Sequence, residues 1–97
     1  IISPAKAAVE GLTVALAAEF APSIRVNCIA PSLTKSKMAK NVIKNSKIEE
    51  SIAKLHPLKR IGEGVDAAYL ANFLLSKNSS WITGQIIGVD GGRAAIA

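Results

Sequence analysis

The chain has 97 residues, 49% of them hydrophobic and 4% aromatic; the length excludes more than one small domain, and the balance excludes general disorder and implies a core of Ala, Val, Ile and Leu of the layered α/β kind. The net charge is +5, yet Lys35 to Arg60 carries eight basic residues against Glu49 and Glu50, leaving the rest of the chain slightly acidic. No aromatics are interleaved with these lysines for base stacking and no apolar run approaches the ~18–20 residues of a membrane span, so neither nucleic acid nor a membrane is expected as a partner.

Ile1-Ile2 is an apolar start without methionine, and the expectation is a break inside a larger domain. Ser3-Pro4 reads as the N-cap and first position of a helix, with Ala5, Val9, Leu12, Leu16 and Phe20 recurring at helical spacing to an end near Phe20. A second stripe, Ala7, Gly11, Ala15 and Ala18, lies nearly opposite, and Lys6, Glu10, Thr13 and Ala17 form a narrow flank between the two. Both broad faces are expected to be buried. The large residues suit a sheet, and the small ones would admit another helix, either within the subunit or from a second copy in a homodimer or homotetramer.

After Ala21-Pro22-Ser23, alternation through Ile24, Val26 and Cys28 predicts a short strand ending at Ala30-Pro31. Cys28 is the single cysteine, so no internal disulfide is possible and a reducing cytoplasm is the expected compartment. Met38, Val42 and Ile43, then Ile48, Ile52 and Leu55, predict two short lysine-rich helices interrupted around Asn45-Ser46. Their polar faces read either as solvated surface or as a cationic lid over an anionic ligand. His56-Pro57 opens a polar loop in which the histidine is expected to be solvated. A largely apolar helix is predicted from Val65 to Ser76, with Tyr69 packed in the core and its hydroxyl at the edge, and a strand from about Gln85 to Val89, closed by Asp90-Gly91-Gly92. Helix, strand, helix, helix, strand is the alternation of a parallel sheet.

Lys6 stands out because N3 of a helix favours an acidic or amide side chain and the helix dipole disfavours a cation there. Its ordinary explanation is a surface pair with Glu10. The segment Asn27 to Ser36 is the second candidate, since the carboxyl end of a strand faces the binding crevice of an open α/β sheet. No group of residues with metal-ligand spacing is present, and no metal is expected.

Lys6 with Ala7-Ala8-Val9-Glu10-Gly11-Leu12-Thr13, then Asn27-Cys28-Ile29-Ala30-Pro31, Pro57-Leu58-Lys59-Arg60-Ile61-Gly62-Glu63, Thr83-Gly84 and Val89-Asp90-Gly91-Gly92, resemble in type, order and spacing the back half of a short-chain dehydrogenase/reductase. The likeness runs from about Ile2 to Arg93. It implies an α/β fold, the C-terminal half of a doubly wound Rossmann-type parallel sheet, with residues 1–97 the C-terminal portion of one NAD(P)-binding domain whose N-terminal half, carrying the glycine-rich phosphate loop, is absent. It further implies an oxidoreductase that moves hydride between the nicotinamide of NAD or NADP and a small-molecule carbonyl or alcohol. In that family the lysine matched by Lys6 holds the nicotinamide ribose, the backbone near Leu33 and Thr34 meets the carboxamide, and a hydroxyl residue at Ser36 contacts the carboxamide or pyrophosphate. Pro31 and Ser32 match a Pro-Gly pair, with serine in place of glycine. The family's proton-exchanging tyrosine, four residues before the lysine, falls on Ile2, a hydrocarbon that can neither give nor accept a proton. Ile2 leaves open a non-catalytic nucleotide-binding or assembly subunit that keeps the fold.

Overall fold

Pro4 and the apolar repeat after it form one continuous helix. In the computed structural model, which describes residues 4–35 and 45–96, α1 covers Pro4–Phe20, β1 Cys28–Pro31, α2 Ser46–Lys54, α3 Gly64–Leu74 and β2 Ile86–Val89. Short 3₁₀ turns follow at Lys77–Ser79 and Arg93–Ile96. β1 and β2 are neighbours in one sheet. Cys28 N donates to Gln85 O at 2.8 Å and Ser32 N to Val89 O at 3.3 Å; both partners advance together along the chain, so the strands are parallel. This is the α/β class that the alternation predicts. The predicted helix at Met38 to Ile43 lies outside the described residues.

The described residues divide into two compact units, 4–29 with 70–87, and 30–35 and 45–69 with 88–96. In the first, the buried side of α1 is neither of its broad stripes. Val9, Leu12 and Phe20 of the large stripe are exposed, as are Ala7, Gly11, Ala15 and Ala18 of the small one. Thr13 and Ala17, on the flank between them, are the buried residues of the helix. The Thr13 hydroxyl is satisfied within the helix by Val9 O at 2.8 Å. A Cβ at Gly84 would stand 3.5 Å from the Ala17 methyl, so the small flank is what lets the 83–85 segment come close.

The predicted strand start at Ile24 is corrected to Cys28, because side chains hold the residues before it. Arg25 donates to Ile82 O, Leu74 O and Ser76 O at 3.1, 2.7 and 3.4 Å. Asn27 Nδ2 donates to Ile82 O at 3.1 Å while its Oδ1 accepts from Gln85 N at 3.1 Å. Val26 N donates to the Thr83 hydroxyl at 3.1 Å. α3 ends at Leu74 rather than Ser76, and the fully buried Ser79 hydroxyl donates back to Leu74 O at 2.9 Å. Buried helix-end carbonyls need such partners.

The second unit is organised by its caps. Asn45 is the N-cap of α2, its side chain accepting from Ile48 N at 2.9 Å, so the polar interruption expected at Asn45-Ser46 is the start signal of the helix. Asp66 closes the first turn of α3 by accepting from Glu63 N at 2.7 Å, the reciprocal half of a capping box. Asp90 accepts from Gly92 N and Ala94 N at 2.9 and 3.1 Å, which shapes the turn after β2. Among the described residues, buried apolar side chains are limited to Ala17, Ile61 and Leu74. Tyr69, expected in the core, is 73% exposed, and Trp81 is 98% exposed. No described helix is long and apolar enough to cross a membrane.

Candidate functional site

The carboxyl end of β1 turns into a loop whose geometry is fixed by the second unit alone. Pro31 is exposed; Ser32, Leu33 and Thr34 are half-buried. Gly62 N donates to Leu33 O at 3.1 Å and Lys35 N donates to Gly62 O at 2.9 Å, a parallel bridge that registers Thr34 against Gly62. The approach is close: a Cβ at Gly62 would lie 3.1 Å from Thr34 Oγ1 and 3.4 Å from Leu33 O, so glycine is the residue that fits. Thr34 Oγ1 donates to Ser32 O at 2.9 Å and curls the loop on itself.

The Ser32 side chain is the unexpected member. Its Oγ lies 2.8 Å from His56 Nε2, and His56 Nδ1 lies 2.9 Å from Ile52 O in the last turn of α2. A carbonyl oxygen can only accept, so Nδ1 carries a hydrogen; in the neutral ring Nε2 is then the acceptor and the Ser32 hydroxyl donates to it. His56 is 4% exposed, which corrects the solvated loop expected around it. Both ring nitrogens have partners, so burial leaves no polar atom unsatisfied. Ser32 also has an ordinary backbone, because Lys59 is the only described non-glycine residue with positive φ. The Cβ that replaces glycine after Pro31 therefore introduces no backbone strain at Ser32 itself.

Beside this pair lies a pocket of about 30 Å³, walled in part by Leu33, Leu58, Arg60 and Gly91. That is room for about one water and not for a nicotinamide ring. Around it the charges are paired. Arg60 Nη1 and Nη2 reach the two carboxylate oxygens of Asp66 at 2.8 and 3.0 Å. Hydrogen bonding from Arg60 first, then from Glu63 N, holds the Asp66 carboxyl well below its usual range, at about 2. Lys35 sits 3.2 Å from Glu63 and 3.7 Å from Glu49, and these carboxylates, Glu63 foremost, raise its pKa. Lys54 pairs with Glu50 at 3.5 Å. These three cations of the basic segment thus face carboxylates, as a solvated surface does.

Lys6 is exposed in the first turns of α1, in the other unit. Ser36 and Ile2 lie outside the described residues. The structure brings Ser32, Leu33 and Thr34 together with His56 and Gly62, two residues that sequence reasoning did not place in the site. For His56 the local signal was its spacing of four from Ile52, with the ring aimed back at a helix-end carbonyl. Among the described residues no group of three or more His, Cys, Asp or Glu is placed to hold a metal ion.

Comparison with known proteins agrees with this architecture. The family model described as enoyl-(acyl carrier protein) reductase matches residues 1–94. Human dehydrogenase/reductase SDR family member 4 is 42% identical over 88 residues, which is 90% of this chain and 32% of that protein. The solved structure of a short-chain type dehydrogenase/reductase from Mycobacterium ulcerans superposes with a TM-score of 0.85 at 38% identity, covering 93% of this chain and 33% of that one. The structure described as ElxO with NADP bound does so with a TM-score of 0.81 at 34% identity, covering 93% and 37%. The chain spans about a third of the length of the curated relatives it matches. With a family model matched along nearly its whole length and a Rossmann-type α/β fold shared with these structures, the chain belongs to the short-chain dehydrogenase/reductase family.

Proposed function

We propose that the full-length protein is an NAD(P)-dependent oxidoreductase acting on a small carbonyl or alcohol substrate, and that residues 31–35 form part of its nicotinamide site. The observation that carries this reading is the loop at the carboxyl end of β1. It is tied from behind by Val89, His56 and Gly62 and keeps Pro31 exposed. Such a loop presents backbone groups to a carboxamide without having to order them at binding. The 30 Å³ pocket behind it does not fit the ring, so the exposed side of the loop is the face assigned to the cofactor. The bound nicotinamide would supply the hydride chemistry. Lys6 is exposed on α1, and its ammonium is a donor suited to ribose hydroxyls.

The test is calorimetry on the full-length protein with NADH and NADPH, repeated on Lys6→Met, followed by turnover on a panel of aldehydes and ketones. Binding of one cofactor that weakens in Lys6→Met without loss of folding supports the reading. Absence of binding by both cofactors at millimolar concentration overturns it. A second reading, a nucleotide-binding or assembly subunit without turnover, rests on Ile2, and it predicts cofactor binding with no reduction of any substrate in the panel.

A further inference from the structure

We propose that His56 is a positioning residue for the cofactor loop: by accepting the Ser32 hydroxyl, it fixes the backbone of residues 31–34 in the orientation that receives the nicotinamide carboxamide. This rests on the cofactor reading above and names the residue that enforces it.

The argument begins with what else restrains Ser32. Its backbone N–H reaches Val89 O at 3.3 Å, a long bond, and its carbonyl is engaged by Thr34 from within the same loop. The 2.8 Å bond to His56 is the short tie from Ser32 to a different element. His56 is itself immobilised. Nδ1 is bonded to Ile52 O, the ring is buried, and a Cβ on Gly91 would stand 3.5 Å from His56 Cβ and 3.8 Å from Cδ2. Free rotation about the serine χ1 would cost nothing if its hydroxyl faced water. Aimed at a fixed acceptor, it selects one rotamer and with it one placement of the Pro31–Ser32 peptide. In the neutral ring this tautomer makes the contact directional, since Nε2 then has a lone pair and no hydrogen to offer.

The test separates positioning of the nicotinamide end from general stability. On full-length protein, affinities are measured for the reduced dinucleotide that the wild type prefers and for the same molecule without its nicotinamide ring, adenosine diphosphate ribose or its 2′-phosphate. Ser32→Ala removes only a hydroxyl and is expected to weaken the dinucleotide about two- to tenfold, the range of one hydrogen bond, while leaving the truncated ligand unchanged. Ser32→Thr should keep wild-type affinity, and His56→Gln added to Ser32→Ala should bring no further selective loss. Equal weakening of both ligands, or no weakening of either, overturns the positioning role while leaving the cofactor reading intact. A wild type that binds neither ligand overturns the cofactor reading. The anchor is then judged by amide exchange in the free protein: acceleration at Lys35 and Gly62, the amides of the bridge that holds the loop, in Ser32→Ala supports it, and unchanged exchange overturns it.

Discussion

Gly92→Ala offers the most direct quantitative check on the turn that packs behind the site. Gly92 has φ +87°, and a Cβ there would lie 3.0 and 3.1 Å from Cγ and Cβ of Pro57. The conformation costs an L-residue about 1–2 kcal/mol. The contact meets a rigid ring that cannot rotate aside, and overpacking of this kind costs roughly 1–3 kcal/mol. Against this, alanine restricts the unfolded chain and returns about 0.4–1 kcal/mol. The net expectation is a loss of roughly 1–5 kcal/mol, centred at about 3. Gly64→Ala is the control, because a Cβ there meets nothing within 4 Å and the residue opens α3. It should gain up to ~1 kcal/mol from helix propensity. Equilibrium urea unfolding of both variants and wild type gives the difference from the midpoints at constant slope. Unchanged or increased stability in Gly92→Ala would show that the contact with Pro57 and the left-handed backbone are not features of the folded protein.

Asp66 has a pKa held down to about 2 in the fold, chiefly by its hydrogen bonds from Arg60, against an ordinary 3.8. The pair with Arg60 therefore contributes stability that is complete above about 4 and lost as pH falls through about 2. Asp66→Asn should flatten that part of the stability profile, and an unaltered acid limb between these values would refute the pairing. Ala15 is exposed on α1, so Ala15→Glu should leave the fold intact while dissociating a homodimer or homotetramer built on the small-residue face. Light scattering of a wild type already monomeric at micromolar concentration would remove that interface. Ile2→Tyr should raise carbonyl reduction by a measurable part of the ~10²–10⁴-fold that a positioned proton donor supplies. Vigorous wild-type turnover that the change leaves untouched would assign the proton to another residue.

Elements were legible in the sequence where the signal is local. Pro4 and the apolar repeat set α1 to its observed bounds, and β2 differs from expectation by one residue. Which side of α1 the described residues cover was not legible, because periodicity ranks faces by the size of their apolar groups. The chain instead buries Thr13 and Ala17, small enough for the 83–85 segment to approach. His56 shows the same limit from the polar side. Its neighbours Pro57 and Lys59 mark a surface turn, and the groups that enclose it, Ser32 and Gly91, are remote in sequence. Pro31, Ser32, Leu33 and Thr34 were legible as a candidate segment because a strand end announces itself. The partner that holds them was invisible, since a hydrogen bond between distant side chains leaves no pattern in either neighbourhood.

Arg25 also bears on how this stretch of polypeptide can diverge. One guanidinium spans three carbonyls, those of Leu74, Ser76 and Ile82, so the path from the end of α3 to the approach of β2 is measured against a rigid gauge. Lysine has no planar fork with which to reach them all. Within that path the buried Ser79 is held by its hydroxyl, whereas Leu75 and Trp81 are 86% and 98% exposed among the described residues. Leu75 and Trp81 can therefore exchange chemistry while the number of residues between the three carbonyls stays fixed. Insertions there should be selected against even where substitutions are neutral.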